Sequence, residues 1–335
     1  MRTFVGVDYH KAFSYGTIMN EAGEILKEGR IAHRPEALEA FLNGYGGPEC
    51  AAVLEATSNW CVMHDWLEER TGRVVLAHPL KVRAIAEARI LTDKISAKTL
   101  ADLLRCNLIP PAHVSSPAAR VLKNLLRHRM FLVCLQTMTK NRLHALLGRY
   151  PLIPQPKRGG LFEAAGRRWM RQIPISASDR PILDREVALL EHLQDQIRQA
   201  DRLLKDAGRD DPRVARLQTI PGIGPQFAPL IVCEIDDVRR FAGPKKLHAY
   251  AGLVPSLHAS GQRAWHGRLT KAGNKYLRWA MVEAVWPAIR ADVGLRVYYE
   301  RIARRRGANP AKVATARRLL TIVYRVLTEG REYRA

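Results

Sequence analysis

The sequence predicts a mixed α/β domain at the amino end and a mainly helical remainder. Two observations carry this. Three short, β-branched apolar runs open the chain, and strand-like and helix-period stretches then alternate up to about Asn107. Beyond that point long helical stretches take over.

In chain order, Thr3–Asp8, Ser14–Met19 and Ile25–Arg30 read as successive strands, with turns at Tyr9–Phe13 and Asn20–Gly23. A helix follows at Pro35–Asn43, then a strand at Ala51–Glu55, a helix at Asn59–Arg70 and a strand at Arg73–Ala77. Helices around Val82–Ala88 and Lys94–Cys106 complete the unit. The layout matches a ribonuclease-H-like arrangement, which by itself does not fix a function.

Pro110, Pro111 and Pro117 interrupt the chain, after which Ala118–Tyr150 reads as a long basic helix. Pro151, Pro154, Pro156 and a basic patch at Arg167–Arg171 precede a second long helix, Arg180–Lys205. There Leu183, Leu190, Ile197 and Leu204 recur at heptad spacing, with Leu193 and Ala200 three residues after the middle two. Such a seam requires a partner helix, either Ala118–Tyr150 or a copy from a second subunit. From Asp211 the stretch Leu217–Pro225 reads as a helix–hairpin–helix turn. Its Gly222 and Gly224 would let the backbone turn tightly and offer N–H groups to a phosphate. The expected domains are 1–110, a helical or coiled-coil connector at 111–210, and 211–335.

Fifty-four Lys and Arg stand against 32 Asp and Glu, a net +22 among 335 residues. Self-repulsion on that scale implies a polyanionic partner, nucleic acid before an anionic membrane. Apolar content of 47% suits a globular protein, and no apolar run approaches the roughly 18 residues of a membrane span. A strand starting at Thr3 leaves no room for a signal peptide, and five scattered cysteines without C-x-x-C spacing read as buried thiols. A cytoplasmic location is therefore expected.

Asp8 ends a buried strand, where an isolated charge is costly unless it is paired or holds a metal. Glu55 ends another strand, and Asp93 opens a helix, so three hard oxygen ligands could meet at one Mg²⁺ ion. A fourth carboxylate would be expected one helical turn after Asp93, where the residue is Ser96; Asp102 falls on the opposite helix face. A second candidate lies at Ser260-Gly261, followed by Arg263, Arg268, Lys271 and Lys275. A serine hydroxyl beside cations could attack a phosphate, with His258 as a possible proton acceptor and Ser256 as its nearest competitor.

Gly6–Lys11, Leu54–Thr57, Thr92–Ile95, Thr219–Gly224, Tyr250–Pro255, Ser260-Gly261, Gly267–Lys271 and Asn274–Arg278, in this order, resemble the transposases of the insertion sequence 110 family. The resemblance implies a RuvC-like catalytic domain, a coiled-coil connector and a carboxy-terminal transposase domain. It implies a DEDD quartet for Mg²⁺, of which Asp8, Glu55 and Asp93 match three positions and Ser96 replaces the last. Ser260 matches the family's nucleophile, which forms a covalent bond to DNA. It further implies donor and target DNA, a noncoding guide RNA, and a homodimer or homotetramer. The basic helix Ala118–Tyr150 and the basic tail are where RNA contact is expected. The rival expectations are a metal-dependent nuclease resembling Holliday-junction resolvases, and an inactive nucleic-acid-binding relative.

Overall fold

The computed structural model describes residues 2–57, 59–86, 92–151, 160–207, 211–260, 263–270 and 272–334, with residues 257–260, 263, 264 and 266 described by backbone only. The chain divides into two compact units, Met1–Val114 and Ser115–Ala335.

In the first unit, β1 (Thr3–Tyr9), β2 (Phe13–Met19) and β3 (Ile25–Ala32) form an antiparallel meander, as their β-branched runs predict. Helix α1 (Pro35–Leu42) leads to β4 (Gly47–Glu55), and α2 (Trp60–Glu68) leads to β5 (Thr71–Ala77). Strands β4 and β5 join in parallel, giving the order β3-β2-β1-β4-β5. Helices α3 (Pro79–Ile85) and α4 (Asp93–Arg105) follow.

Side-chain alternation along β1 sorts two cores. Val5 and Val7 pack with Leu38, Phe41, Met63 and Leu67 of α1 and α2. Phe4 packs on the other face with Leu100, Leu103 and Leu104 of α4. Gly6 lies on the α4 face, where a Cβ would stand 2.0 Å from Ala97 O and 2.6 Å from Ala101 N. Only glycine permits this approach of helix backbone to strand.

The second unit begins with α5 (Pro117–Leu147), α6 (Ala164–Gln172) and α7 (Arg180–Ala207). Leu183, Leu190, Leu193, Ala200 and Leu204 are buried, as the heptad pattern requires, and the partner is α5 of the same chain. Ion pairs fix the pairing as antiparallel: Arg129 meets Asp201, Arg142 meets Glu186 at 2.7 Å, and Arg149 meets Asp179 at 3.1 Å.

The remainder comprises α8 (Pro212–Gln218), α9 (Phe227–Ile235), a 3-10 turn at Val238–Arg240, α10 (Pro244–Tyr250), strands β6 (Pro255–Ser260) and β7 (Arg263–Leu269), and helices α11 (Lys275–Glu283), α12 (Val285–Ala291), α13 (Val293–Arg306) and α14 (Ala308–Glu329). Their core joins α9, α11, α12 and α14 through Ile231, Met281, Ala288 and Leu320. Among the described residues no helix is long and apolar enough to cross a membrane.

Ser260 lies in a β-hairpin strand that pairs with Arg263–Leu269 in a two-stranded sheet. One reading of the sequence is corrected: the five cysteines are not all buried. Cys106 and Cys134 are exposed, whereas Cys50 and Cys233 are buried. Several arginines of α5 and α6 also form ion pairs within the unit, with Arg167 and Arg171 both on Glu191.

Candidate metal centre and hairpin site

The parallel register sets Val7 beside Leu54, so the next residues along, Asp8 and Glu55, stand at adjoining strand ends on the α4 face. Helix α4 starts with Asp93, its N-cap Thr92 accepting from Ile95 N at 3.3 Å. Packing of α4 on Gly6 brings that first turn to the end of β1. As a result Asp8, His10 and Asp93 offer ligand atoms all within 4.8 Å of one another. Nε2 of His10 is 3.3 Å from Asp8 Oδ2 and 3.1 Å from Asp93 Oδ1, and it is a buried nitrogen without a hydrogen bond of good geometry.

Burial raises the Asp8 carboxyl above its ordinary range, and Asp93 adds to this; His10 and the Ser96 hydroxyl, which hydrogen-bonds Asp8, act the other way. Burial also raises Glu55, reinforced by Asp8 and opposed by Arg83. Glu55, Arg83 and Ser96 line a cavity of about 450 Å³ next to this cluster. Carboxylates held together against burial and mutual repulsion, with a buried nitrogen between them, fit a divalent cation. Asp102 takes no part; its carboxylate is 3.2 Å from Arg105.

Sequence reasoning missed His10. The signal was present, since Asp-x-His at the end of a strand sets both side chains on one face.

In the second unit Ser260 is the last residue of β6, paired across the hairpin with Arg263. The side chains of Ser260, His258 and Arg263, and the whole of Lys271, lie outside the described residues. Arg268 is exposed on β7, and the Lys275 ammonium stands 5.2 Å from the centre of the Tyr276 ring.

A buried polar network closes the base of this hairpin. Asn274 N donates to Tyr250 O at 2.7 Å and Thr270 N to Val254 O at 3.1 Å. Asn274 Oδ1 caps α11 by accepting from Tyr276 N and Leu277 N, both at 3.0 Å. Its Nδ2 donates to Glu234 Oε2 at 2.7 Å. Glu234 is fully buried in α9 and accepts two bonds from Arg127 of α5, at 3.0 and 3.1 Å. The sequence hinted at this, since Glu234 is the single charge of the apolar run Phe227–Ile235.

Between α8 and α9, Gly222 has φ +85 and a Cβ there would stand 2.4 Å from Ala284 O. Gly222 is thus required for packing against α11 and α12. Gly224 faces open space.

Two family models match the chain. One, described as the transposase IS116/IS110/IS902 family, covers residues 214–300. The other, a DEDD-type transposase model of insertion sequence 110, covers residues 5–151. The chain is 25% identical to a transposase for insertion sequence element IS1328 of Yersinia enterocolitica over 98% of its own length and 97% of the relative's. It is 25% identical to a probable family 20 transposase of Pseudomonas aeruginosa over 86% of each. A pilin gene-inverting protein of Moraxella bovis is 30% identical over 43% of this chain and 47% of that protein.

Proposed function

We infer that this chain, which belongs to the IS116/IS110/IS902 family of transposases and acts in DNA transposition, cuts DNA through a covalent bond to Ser260 with the help of Mg²⁺ at Asp8, Glu55 and Asp93. The observation that carries this reading is the convergence of Asp8 and Asp93, from a strand end and a helix start, within one ligand-sized cluster.

A divalent ion bound there supplies Lewis-acid polarisation of a phosphodiester oxygen. The carboxylates Asp8, Glu55 and Asp93 hold it, and Ser96 orients Asp8 by hydrogen bonding. Ser260 Oγ attacks phosphorus, and an Oγ–P bond forms as the bond to one deoxyribose oxygen breaks. The serine proton passes to a base, His258 in our reading, and the released sugar oxygen takes up a proton. Attack by a second strand's sugar hydroxyl on the serine–phosphate bond reverses these steps and joins new ends. Arg263, Arg268, Lys271 and Lys275 neutralise the phosphates, and the turn at Gly222 and Gly224 contacts backbone as a helix–hairpin–helix element.

The formal charge of +22 supports a partner beyond the DNA duplex, which we take to be a noncoding guide RNA. A homodimer or homotetramer is supported by apolar side chains exposed on the outer faces of the α5–α7 pair, Phe131, Met138 and Leu189 among them.

The test is adduct trapping. The protein is co-expressed with the noncoding DNA flanking its gene, given donor and target DNA with Mg²⁺, and resolved on denaturing gels. A protein–DNA adduct lost in both Asp8→Ala and Ser260→Ala supports the reading. Cleavage that survives Ser260→Ala without an adduct points to a metal-dependent nuclease, and binding without cleavage points to an inactive relative.

A further inference from the structure

One cavity of the second unit lies away from the hairpin. It measures about 930 Å³ and lies where α10, α13, α14 and the carboxy-terminal tail meet. That is in the range of pockets that hold a whole small ligand, about 300–1,000 Å³. Helix α14 contributes Arg317, Arg318 and Arg325 to its wall. Among the described lining residues Asp292 is the only acid, and it is already committed. Its Oδ1 accepts from Leu295 N and its Oδ2 from the Tyr333 hydroxyl, each at 2.7 Å.

Further observations point to an anionic occupant. Arg317 Nε is buried with no hydrogen-bond partner, and so is Nδ1 of His248, whose Nε2 meets the Thr321 hydroxyl at 3.0 Å. Burial and the charge of Arg317 lower His248 to about 4, so the imidazole enters this wall neutral. Arg318 is steadied by the Tyr298 ring, whose centre is 4.7 Å from the guanidinium carbon. Among the described residues none of the three arginines forms an ion pair, although Arg304 and Lys312 nearby do.

We propose that this cavity binds a phosphate group of a nucleic-acid strand, seated by the guanidinium groups of Arg317 and Arg318. Arginine suits the task because its planar fork donates two parallel bonds to phosphate oxygens. The volume exceeds that of a lone phosphate, so the adjoining nucleotide enters with it. The site is separate in sequence from Ser260 and needs no divalent cation. It rests on the family reading only in taking nucleic acid as the ligand.

The experiment measures binding of the full-length protein to labelled single-stranded DNA and RNA of one sequence, each with a 5′-phosphate or a 5′-hydroxyl, in EDTA so that no cleavage intervenes. R317Q/R318Q is expected to weaken binding at least tenfold and to reduce the salt slope by about one to two. The control R168Q/R202Q, which removes the same charge from exposed positions on α6 and α7, is expected to change binding less than twofold. R318Q alone, at an exposed position, guards against misfolding and should weaken binding at least threefold. A preference for 5′-phosphate that R317Q/R318Q abolishes identifies a strand end; equal losses for all four oligonucleotides identify an internal phosphodiester. Equal effects of the cavity and control variants would overturn the site. A wild type that binds no oligonucleotide overturns the site and the nucleic-acid reading together. Cavity-dependent binding with no Ser260 adduct leaves this site standing and removes only the cleavage reading.

Discussion

Nε2 of His10 lies 3.1 Å from Oδ1 of Asp93, joining the end of the first strand to the first residue of α4. The imidazole sits against the charge that a divalent cation would balance. Thermal melts with and without Mg²⁺ or Mn²⁺ should therefore show a metal-induced rise in the wild type. A ligand at a hundred times its dissociation constant adds about 2.7 kcal/mol, and this gain should vanish in Asp8→Asn and in Asp93→Asn. A shift that persists in both variants would place the metal elsewhere.

Ser96→Asp adds a fourth carboxylate beside Asp8. Calorimetric titration with Mn²⁺ should give tighter binding than the wild type, by about tenfold. In EDTA the same variant should melt lower, because it adds a like charge to a cluster already raised by burial and repulsion.

Arg127 is the charge partner of the buried Glu234. Replacing it with Met leaves a carboxylate without its counterion, at a cost of about 3–5 kcal/mol. Urea unfolding should report that loss, and the double variant Arg127→Met/Glu234→Gln should recover at least half of it. Equal stability of the single and double variants would show that the ion pair is not the cause.

Gly222 and Gly224 separate by their surroundings. Gly222→Ala drives a methyl into the backbone at Ala284 and Ala288, at a positive φ, and should cost about 2 kcal/mol or more. Gly224→Ala meets open space, so stability should stay within about 0.5 kcal/mol while DNA affinity reports any role of the turn.

His248 makes the second unit sensitive to acid. Its folded pKa is lowered from 6.5 to about 4, so between those values the unfolded chain binds more protons. The stability it contributes is complete above about pH 6.5 and is lost as the pH falls toward 4. Denaturant midpoints at pH 5 and 7.5 should differ less in His248→Gln than in the wild type. An unchanged difference would assign the acid sensitivity to other groups.

Much of the first unit was legible because its strands are β-branched runs and its carboxylates end them. Asp8, Glu55 and Asp93 could be named without knowing how Gly6 lets α4 reach them. His10 joins the cluster only because α4 carries Asp93 to the strand end, a meeting that no local pattern encodes. The heptad residues of α7 announced a partner, but the antiparallel match to α5 depends on ion pairs such as Arg149–Asp179, which no local pattern encodes. The β6–β7 hairpin drew no assignment from the sequence, because its alternation of Ser256, His258 and Ser260 with Leu257 and Ala259 spans only a few residues. The lone charge at Glu234 demanded a partner, but only the fold could supply Arg127.

The contact at Gly6 has a genetic consequence. A side chain at this position meets main-chain atoms of Ala97 and Ala101, which no substitution can trim; only the methyl of Ala101, 3.1 Å away, could be removed. Loss-of-function alleles at Gly6 should thus mimic variants of Asp8 and Asp93 while leaving both carboxylates intact. A search for second-site suppressors along α4 should come back empty.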